Sequence, residues 1–231
     1  MLNIKSDLLA QKIVGVIGED DRFMVENTHV FPYSSMVYVV ESSGVSASGV
    51  VIGKNTILTC AHVAMNGINL GSRVYPGQNE DATPFGSFVI TGVNVMGKFT
   101  TEPIPYPYDF AVLTVNPNGD GVSVGDVVQP VPIRVTNERL PLGAKVISLG
   151  YPHDKPYKTL WQGEGKVVES DLPWDLPNMT PVDADITAGD SGGPILYDGK
   201  LFALNSALVT VNYGATINDE IYEFISKYIN T

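Results

Sequence analysis

Short runs of apolar residues, separated by clusters of turn-forming residues, recur along most of this chain. The separating clusters are rich in glycine, asparagine and proline, and the chain contains 23 Gly and 16 Pro. Many short strands with such turns are typical of β-barrels and β-sandwiches. The pattern predicts an all-β protein with about six strands in each half, built as two packed six-stranded antiparallel β-barrels. The runs are 36–41, 48–53, 56–60, 87–95, 110–115, 130–135, 144–149, 165–169, 192–197 and 200–211.

Two boundaries divide the chain. The Asn- and Gly-rich stretch 116–121 predicts the crossing from an N-terminal barrel, residues 16–120, to a C-terminal barrel, residues 121–231. Residues 1–15 have the composition of a leader or propeptide remnant, and they lack the apolar core of a secretory signal peptide.

The end of the chain has a helical period instead. Apolar residues between 221 and 229 recur at spacings of three and four, which predicts an amphipathic α-helix. Thr216 or Asn218 is expected to cap it, with Asp219 and Glu220 favourably placed in the first turn. We expect this helix to pack on the second barrel.

Composition excludes several classes of partner. The net charge is −11 and only 14 residues are Lys or Arg, so a nucleic-acid partner is not expected. No apolar run approaches the ~20 residues of a membrane-spanning helix. The acidic loops 79–81 and 118–126 could hold calcium, but a few loop carboxylates are usually just solvated. No cofactor or metal is therefore expected.

The chain has one cysteine, Cys60, so no internal disulfide can form. It stands in an apolar stretch just before His62, which favours a small core residue. Apolar burial raises the pKa of a thiol, so a nucleophilic role for Cys60 is the weaker interpretation.

Residues 187–194 read Thr-Ala-Gly-Asp-Ser-Gly-Gly-Pro and are candidates for two catalytic parts. Ser191 offers a nucleophilic hydroxyl, and the backbone N–H groups of Gly189 and Ser191 can converge as an oxyanion hole. Glycine suits position 189 because a side chain would crowd a substrate there and the loop needs unusual backbone angles. Alone, Gly-Asp-Ser-Gly is most often a turn, so this interpretation needs a base and an orienting acid elsewhere.

His62 and Asp109 are the candidates for those two groups. His62 follows a predicted pair of strands, and Asp109 opens the strongly apolar strand 110–115. A carboxylate beside a core strand needs a partner, and a histidine N–H is a natural one. Each residue alone is more often structural. Together, in the order His62, Asp109, Ser191, they predict a triad for nucleophilic catalysis.

Three sequence blocks carry a resemblance to a known family. Thr-Cys-Ala-His at 59–62, Asp-Phe-Ala-Val-Leu at 109–113 and Gly-Asp-Ser-Gly-Gly-Pro at 189–194 resemble the active-site blocks of chymotrypsin-like serine proteases. The resemblance implies that family's pair of barrels and a secreted, monomeric bacterial endopeptidase acting on proteins or peptides. The chain is similar in particular to glutamyl endopeptidases and to exfoliative-toxin and Spl-type proteases, through residues 16–22, 27–28, 31–33, 150–152 and 161–162.

The resemblance also assigns substrate-binding positions. Glutamyl endopeptidases usually carry Thr or Ser five residues before the catalytic serine and His beside the pocket, where this chain has Ile186 and Asn205. Neither residue supplies the positive charge or hydroxyl, so we expect weaker cleavage after glutamate than in those relatives. A preference for glutamate stays open, and it would require another donor in the pocket. Asp185 lies where trypsin keeps its selector for basic side chains, although glutamyl relatives also have Asp there. Ser206 lies on the strand expected to pair with the substrate backbone.

An activation step is the last implication of the resemblance. In trypsin-like zymogens the residue equivalent to Asp190 pairs with a freed N-terminus, and a buried carboxylate needs such a cation. Val16 matches the family's mature start, while Ile13 follows Lys12 as at a tryptic site. We therefore expect a zymogen in which residues 1–15 restrain activity until a cut before Ile13 or Val16 supplies the ammonium group.

Two other functions are compatible with the same fold. A proteolytically silent binding or toxin-like protein would keep the barrels and normally lose a triad member, whereas all three candidates are present. A quality-control protease of the HtrA type is expected to add a peptide-binding domain where this sequence has its terminal helix.

Overall fold

The computed structural model describes residues 15–40, 44–170, 172, 176–208 and 211–229. Short strands joined by turns dominate the described residues, as the apolar runs predict. The strands are β1 (Phe23–Met24), β2 (Met36–Val40), β3 (Ser46–Val51), β4 (Thr56–Thr59), β5 (Arg73–Pro76), β6 (Phe88–Val95), β7 (Ala111–Val115), β8 (Lys145–Gly150), β9 (Trp161–Lys166), β10 (Met179–Val182), β11 (Pro194–Tyr197), β12 (Lys200–Leu208) and β13 (Asn212–Thr216). The α-helices are α1 (Ala61–Met65), α2 (Gly97–Thr101), α3 (Val124–Val127) and α4 (Asp219–Ile229), and 3-10 turns span Tyr33–Ser35 and Tyr106–Tyr108.

The first half is a closed antiparallel barrel with the strand order β2-β3-β4-β7-β6-β5. Its strands are rich in β-branched and other apolar side chains, which suit a pleated and buried surface. Val39, Leu58 and Val112 are fully buried in its core. Each such side chain contributes about 1.5–3 kcal/mol on burial, so the barrel is a rigid support for the loops at its ends.

The second half has the strand order β1-β9-β8-β11-β12-β13-β10. An antiparallel bridge between Val167 and Val182 joins the continuation of β9 to β10, which closes the six strands β8 to β13 into a ring. The predicted pair of six-stranded barrels is therefore confirmed. β1 is an addition, because Phe23 and Met24 of the N-terminal segment pair with β9 and lie on the second sheet.

The terminal helix α4 forms where the apolar period predicts it. The side-chain Oδ1 of Asn218 accepts a hydrogen bond from the Ile221 N–H at 2.9 Å, which confirms Asn218 as the cap. The predicted packing on the second barrel is wrong. The hydroxyl of Thr56, on β4, donates to the Tyr228 carbonyl at 2.8 Å, and α4 contacts β7 of the same first barrel.

Among the described residues, none of the helices has the length and apolar character needed to cross a membrane.

Candidate active site

The pairing of β4 with β7 brings His62 and Asp109 together. Thr59, the last residue of β4, lies opposite Ala111, the first residue of β7. His62 follows Thr59 in the first turn of α1, and Asp109 precedes Ala111 at the end of a 3-10 turn. Because the two strands are antiparallel, these residues extend from the same end of the barrel.

Two hydrogen bonds join His62 to Asp109. The His62 backbone N–H donates to Asp109 Oδ1 at 2.9 Å, and His62 Nδ1 lies 2.7 Å from Asp109 Oδ2. The Asp109 side chain is 0% exposed and that of His62 is 31% exposed. In the tautomer whose Nδ1 donates to the carboxylate, Nε2 carries the lone pair that can accept a proton.

The carboxylate of Asp109 stays ionised in spite of its burial. Burial alone would raise its pKa, but the charge of His62 and the hydrogen bonds from His62 and Ser206 hold that pKa below its ordinary value. Ser206 supplies its bond through the side chain, with Oγ 2.6 Å from Asp109 Oδ2. The sequence analysis gave Ser206 only a backbone contact with substrate, so the role of its hydroxyl is an additional finding.

The loop 187–193 carries Gly189 and Ser191 on the second barrel. Gly189 has a φ of 97°, and a Cβ at this position would lie 2.4 Å from the Tyr151 carbonyl oxygen, so only glycine fits. Its carbonyl accepts a hydrogen bond from Ser48 Oγ at 2.8 Å. Within the described part of the chain, no acceptor takes the N–H of Gly189 or of Ser191. Both donors are therefore available for an oxyanion.

Close packing joins this loop to the segment that leads into His62. The Ser191 carbonyl accepts from the Ser48 N–H at 2.9 Å. A Cβ at Gly192 would lie 2.2 Å from Thr59 Oγ1 and 3.0 Å from the Cys60 backbone nitrogen. Ser191, which is half-buried, thus lies on a loop that packs against the residues just before His62.

Cys60 is a core residue, as the sequence predicts. Its thiol is fully buried and donates to the Asn205 carbonyl at 3.2 Å, and burial raises its pKa well above the ordinary value. Possible ligand atoms of Cys60, His62 and Asp109 lie within 4.8 Å of one another. A neutral thiol and a carboxylate already bound to His62 and Ser206 are poor metal ligands, so this group of residues fits acid–base chemistry better.

The predicted substrate-binding side chains make internal contacts. Asp185 accepts the Ile17 N–H at 2.7 Å, and its burial raises its pKa. Ile186 is 3% exposed and packs in the core of the second barrel. Asn205 is 0% exposed, and its Oδ1 accepts a hydrogen bond from Ser148 Oγ at 3.1 Å. Their role in selecting a substrate side chain stays a prediction.

The predicted activation residues are only partly described. Ile13 lies outside the described residues, and Val16 is half-buried. Asp190 is buried, and desolvation raises its pKa to about 7 even though the Thr187 N–H and Arg22 act in the opposite direction. Within the described residues, the cation near Asp190 is Arg22, with Nη1 3.8 Å from Oδ2. The pairing of Asp190 with a freed N-terminus stays a prediction. Residues 16–22 are part of the sequence resemblance, but the resemblance did not predict Arg22 as the cation beside Asp190.

Comparisons with known proteins agree with this geometry. The sequence matches the trypsin family over residues 23–230. A glutamyl endopeptidase of Staphylococcus epidermidis is 32% identical over 235 residues, covering 93% of this chain and 74% of that protein. One of Staphylococcus aureus (strain MW2) is 26% identical over 210 residues, covering 88% of this chain and 58% of that protein. The solved structure of a Glu endopeptidase in complex with MPD has a TM-score of 0.81 and 28% identity, covering 94% of this chain and 100% of that one. The chain belongs to the trypsin family and is a chymotrypsin-like serine endopeptidase.

Proposed function

We propose that this protein is a secreted bacterial serine endopeptidase that acts as a monomer through His62, Asp109 and Ser191. The observation that carries the proposal is the chain of hydrogen bonds from Ser206 through Asp109 to His62, together with the packing of the Ser191 loop against the residues just before His62. The free N–H groups of Gly189 and Ser191 on that loop complete the set of groups that acyl transfer needs.

In the proposed mechanism His62 Nε2 accepts the proton of Ser191 Oγ as the oxygen attacks a peptide carbonyl. Asp109 holds the imidazole in the required tautomer and stabilises the imidazolium that forms. The N–H groups of Gly189 and Ser191 donate to the oxyanion of the tetrahedral intermediate. His62 then protonates the leaving amine, and water, activated by the same base, releases the acyl group from Ser191.

We extend the proposal to specificity: cleavage after glutamate is weaker than in the staphylococcal relatives named glutamyl endopeptidases. The apolar Ile186 cannot donate to a carboxylate, and the amide of Asn205 is directed to Ser148 and to backbone carbonyls. Asp185 carries a negative charge when ionised and would repel a glutamate side chain. A peptide series that differs only in Glu, Gln, Leu or Lys before the scissile bond tests this, and a strong preference for Glu contradicts it.

Replacing Ser191 with alanine tests the reaction itself. Ser191→Ala should lower kcat by several orders of magnitude with an unchanged melting temperature, because the nucleophile is lost and the fold is not. A phosphonylating reagent should label Ser191 in the native enzyme and label His62→Ala far more slowly. Ser206→Ala should keep measurable activity, since it removes one of several donors to Asp109. Normal turnover by Ser191→Ala would refute the triad, and an inert native enzyme would favour the silent toxin-like alternative.

A further inference from the structure

Arg22 lies beside the loop that carries Gly189 and Ser191, and the proposed mechanism gives it no role. Its side chain is only 2% exposed. A guanidinium removed from water to this extent is costly unless acceptors surround it, so its position has to be held by specific contacts.

Two carboxylates fix the plane of the guanidinium. Arg22 donates to Asp20 through Nε at 2.9 Å and Nη2 at 2.8 Å. It donates to Asp154 through Nη1 at 3.2 Å and Nη2 at 2.5 Å. Paired bonds of this kind orient an arginine much more strictly than one contact does, and lysine cannot reproduce them.

The remaining contacts of Arg22 reach the catalytic loop. Its Nη1 donates to Thr187 Oγ1 at 2.9 Å and lies 3.8 Å from Asp190 Oδ2. The Thr187 N–H in turn donates to Asp190 Oδ2 at 2.8 Å, and the Asp190 N–H donates to the Thr187 carbonyl at 3.1 Å. Residues 187–190 therefore form a closed loop that contains Gly189, and Arg22 contacts both of its ends.

We propose that Arg22 is the positioning residue that holds the loop 187–190, and with it the oxyanion donors, in the working conformation. It takes the place that the sequence analysis gave to a freed N-terminus, and it does so in a chain that still continues upstream of Val16. The inference rests on the proposed function, since it assumes that Gly189 and Ser191 supply those donors.

The charges around the loop support this role. Asp20, Asp154 and Asp190 are balanced by Arg22 and by Lys155, whose Nζ lies 2.7 Å from Asp20. Without Arg22, the three carboxylates would face one lysine, which is bound to Asp20. Asp154 and Asp190 would then repel each other at the two sides of Thr187, and the pKa of Asp190 would rise above about 7.

The test replaces Arg22 with methionine, which keeps most of the volume and removes the charge. Arg22→Met should lower kcat by about 30-fold or more while KM changes by less than about threefold, because oxyanion stabilisation acts in the transition state. The matched control is Arg73→Met, since Arg73 is exposed and its Nη1 donates at the surface to the Ser87 hydroxyl at 2.9 Å. Arg22→Lys should recover only part of the rate.

A double-mutant cycle separates positioning from general stability. In the Asp190→Asn background no charge remains to be balanced at 190, so Arg22→Met should cost at least about fivefold less than in the native background. If Arg22→Met does not fold, Thr187→Val tests the same contact and should lower kcat about tenfold without changing KM. Equal effects in both backgrounds, or unchanged kcat in Thr187→Val, would overturn the role of Arg22. A failure of Ser191→Ala to lose activity would instead overturn the proposed function.

Discussion

At the scale of single residues, the pKa values of three buried carboxylates near the active site are shifted in different directions. Asp109 has a lowered pKa because His62 and Ser206 outweigh its desolvation. Asp185 and Asp190 have raised pKa values because burial outweighs their hydrogen bonds to backbone N–H groups. Of the three, Asp109 is the one whose surroundings stabilise the ionised form, and the proposed mechanism places a transient imidazolium beside it.

The raised pKa of Asp190 leads to a prediction about stability. A carboxyl group whose pKa is about 7 in the folded protein, above its ordinary value of 3.8, favours folding in its protonated form. That contribution is complete below the ordinary pKa and is lost as pH rises through about 7. Asp190→Asn cannot titrate, so between about pH 4 and pH 8 its unfolding free energy should fall less than that of the native protein.

Urea unfolding of both proteins at several pH values measures this difference. Asp20 and Asp154, the neighbouring acids, have lowered pKa values and stay ionised over most of the window, so they do not mimic the effect. Parallel stability curves for the two proteins would show that Asp190 is ionised throughout.

At the scale of elements, the apolar runs predicted those strands whose own residues are mostly apolar. The runs 36–41, 56–60 and 110–115 correspond to β2, β4 and β7. The run 130–135 is not a strand, and its Ile133 makes only an isolated bridge to Leu201. The strand β13 reads Asn-Tyr-Gly-Ala-Thr and was missed, because its burial comes from pairing with β10 and β12 and not from its own composition.

The cap of α4 can be tested separately from catalysis. Asn218→Ala removes the acceptor of the Ile221 N–H and should lower the unfolding free energy by about 1 kcal/mol. The helix packs on the first barrel beside Thr56, away from the groups that bind the reacting carbonyl, so kcat should not change. Thermal unfolding and steady-state kinetics measure the two effects, with the exposed Asn116→Ala as control. A fall in kcat without a fall in stability would contradict this separation.

At the scale of the whole molecule, the active site depends on how the two barrels meet. His62 and Asp109 belong to the first barrel and Ser191 to the second, and the loop that carries Ser191 packs against the first barrel. Ser48 of the first barrel joins the halves: its N–H donates to the Ser191 carbonyl, and its Oγ donates to the Gly189 carbonyl. Nothing in the sequence around Ser48 signals this, because its partners lie more than a hundred residues away.

The segment before Val16 also contacts this part of the molecule. The Gly15 carbonyl accepts hydrogen bonds from the Ile186 N–H and from Asn212 Nδ2, each at 2.9 Å. The fit is close, since a Cβ at Gly15 would lie 1.6 Å from the Ile186 carbonyl oxygen. The Gly15 carbonyl thus occupies two hydrogen-bond donors at or near the predicted substrate-binding positions. We expect removal of residues 1–15 to raise kcat/KM for peptides at least about tenfold, equivalent to about 1.4 kcal/mol.

The two possible starts of the mature chain distinguish restraint by Gly15 from activation by a freed N-terminus beside Asp190. A chain that begins at Val16 lacks Gly15 and should cleave peptides fast, whereas one that begins at Ile13 keeps Gly15 and should stay slow. All three forms (untrimmed, starting at Ile13 and starting at Val16) contain Arg22. From its proposed role, phosphonate labelling of Ser191 should proceed at a similar rate in each of them. Fast peptide cleavage by the form that begins at Ile13 would show that residues 1–12, and not Gly15, restrain the activity. Labelling that becomes faster only after trimming would show that a freed N-terminus, and not Arg22, orders the oxyanion loop.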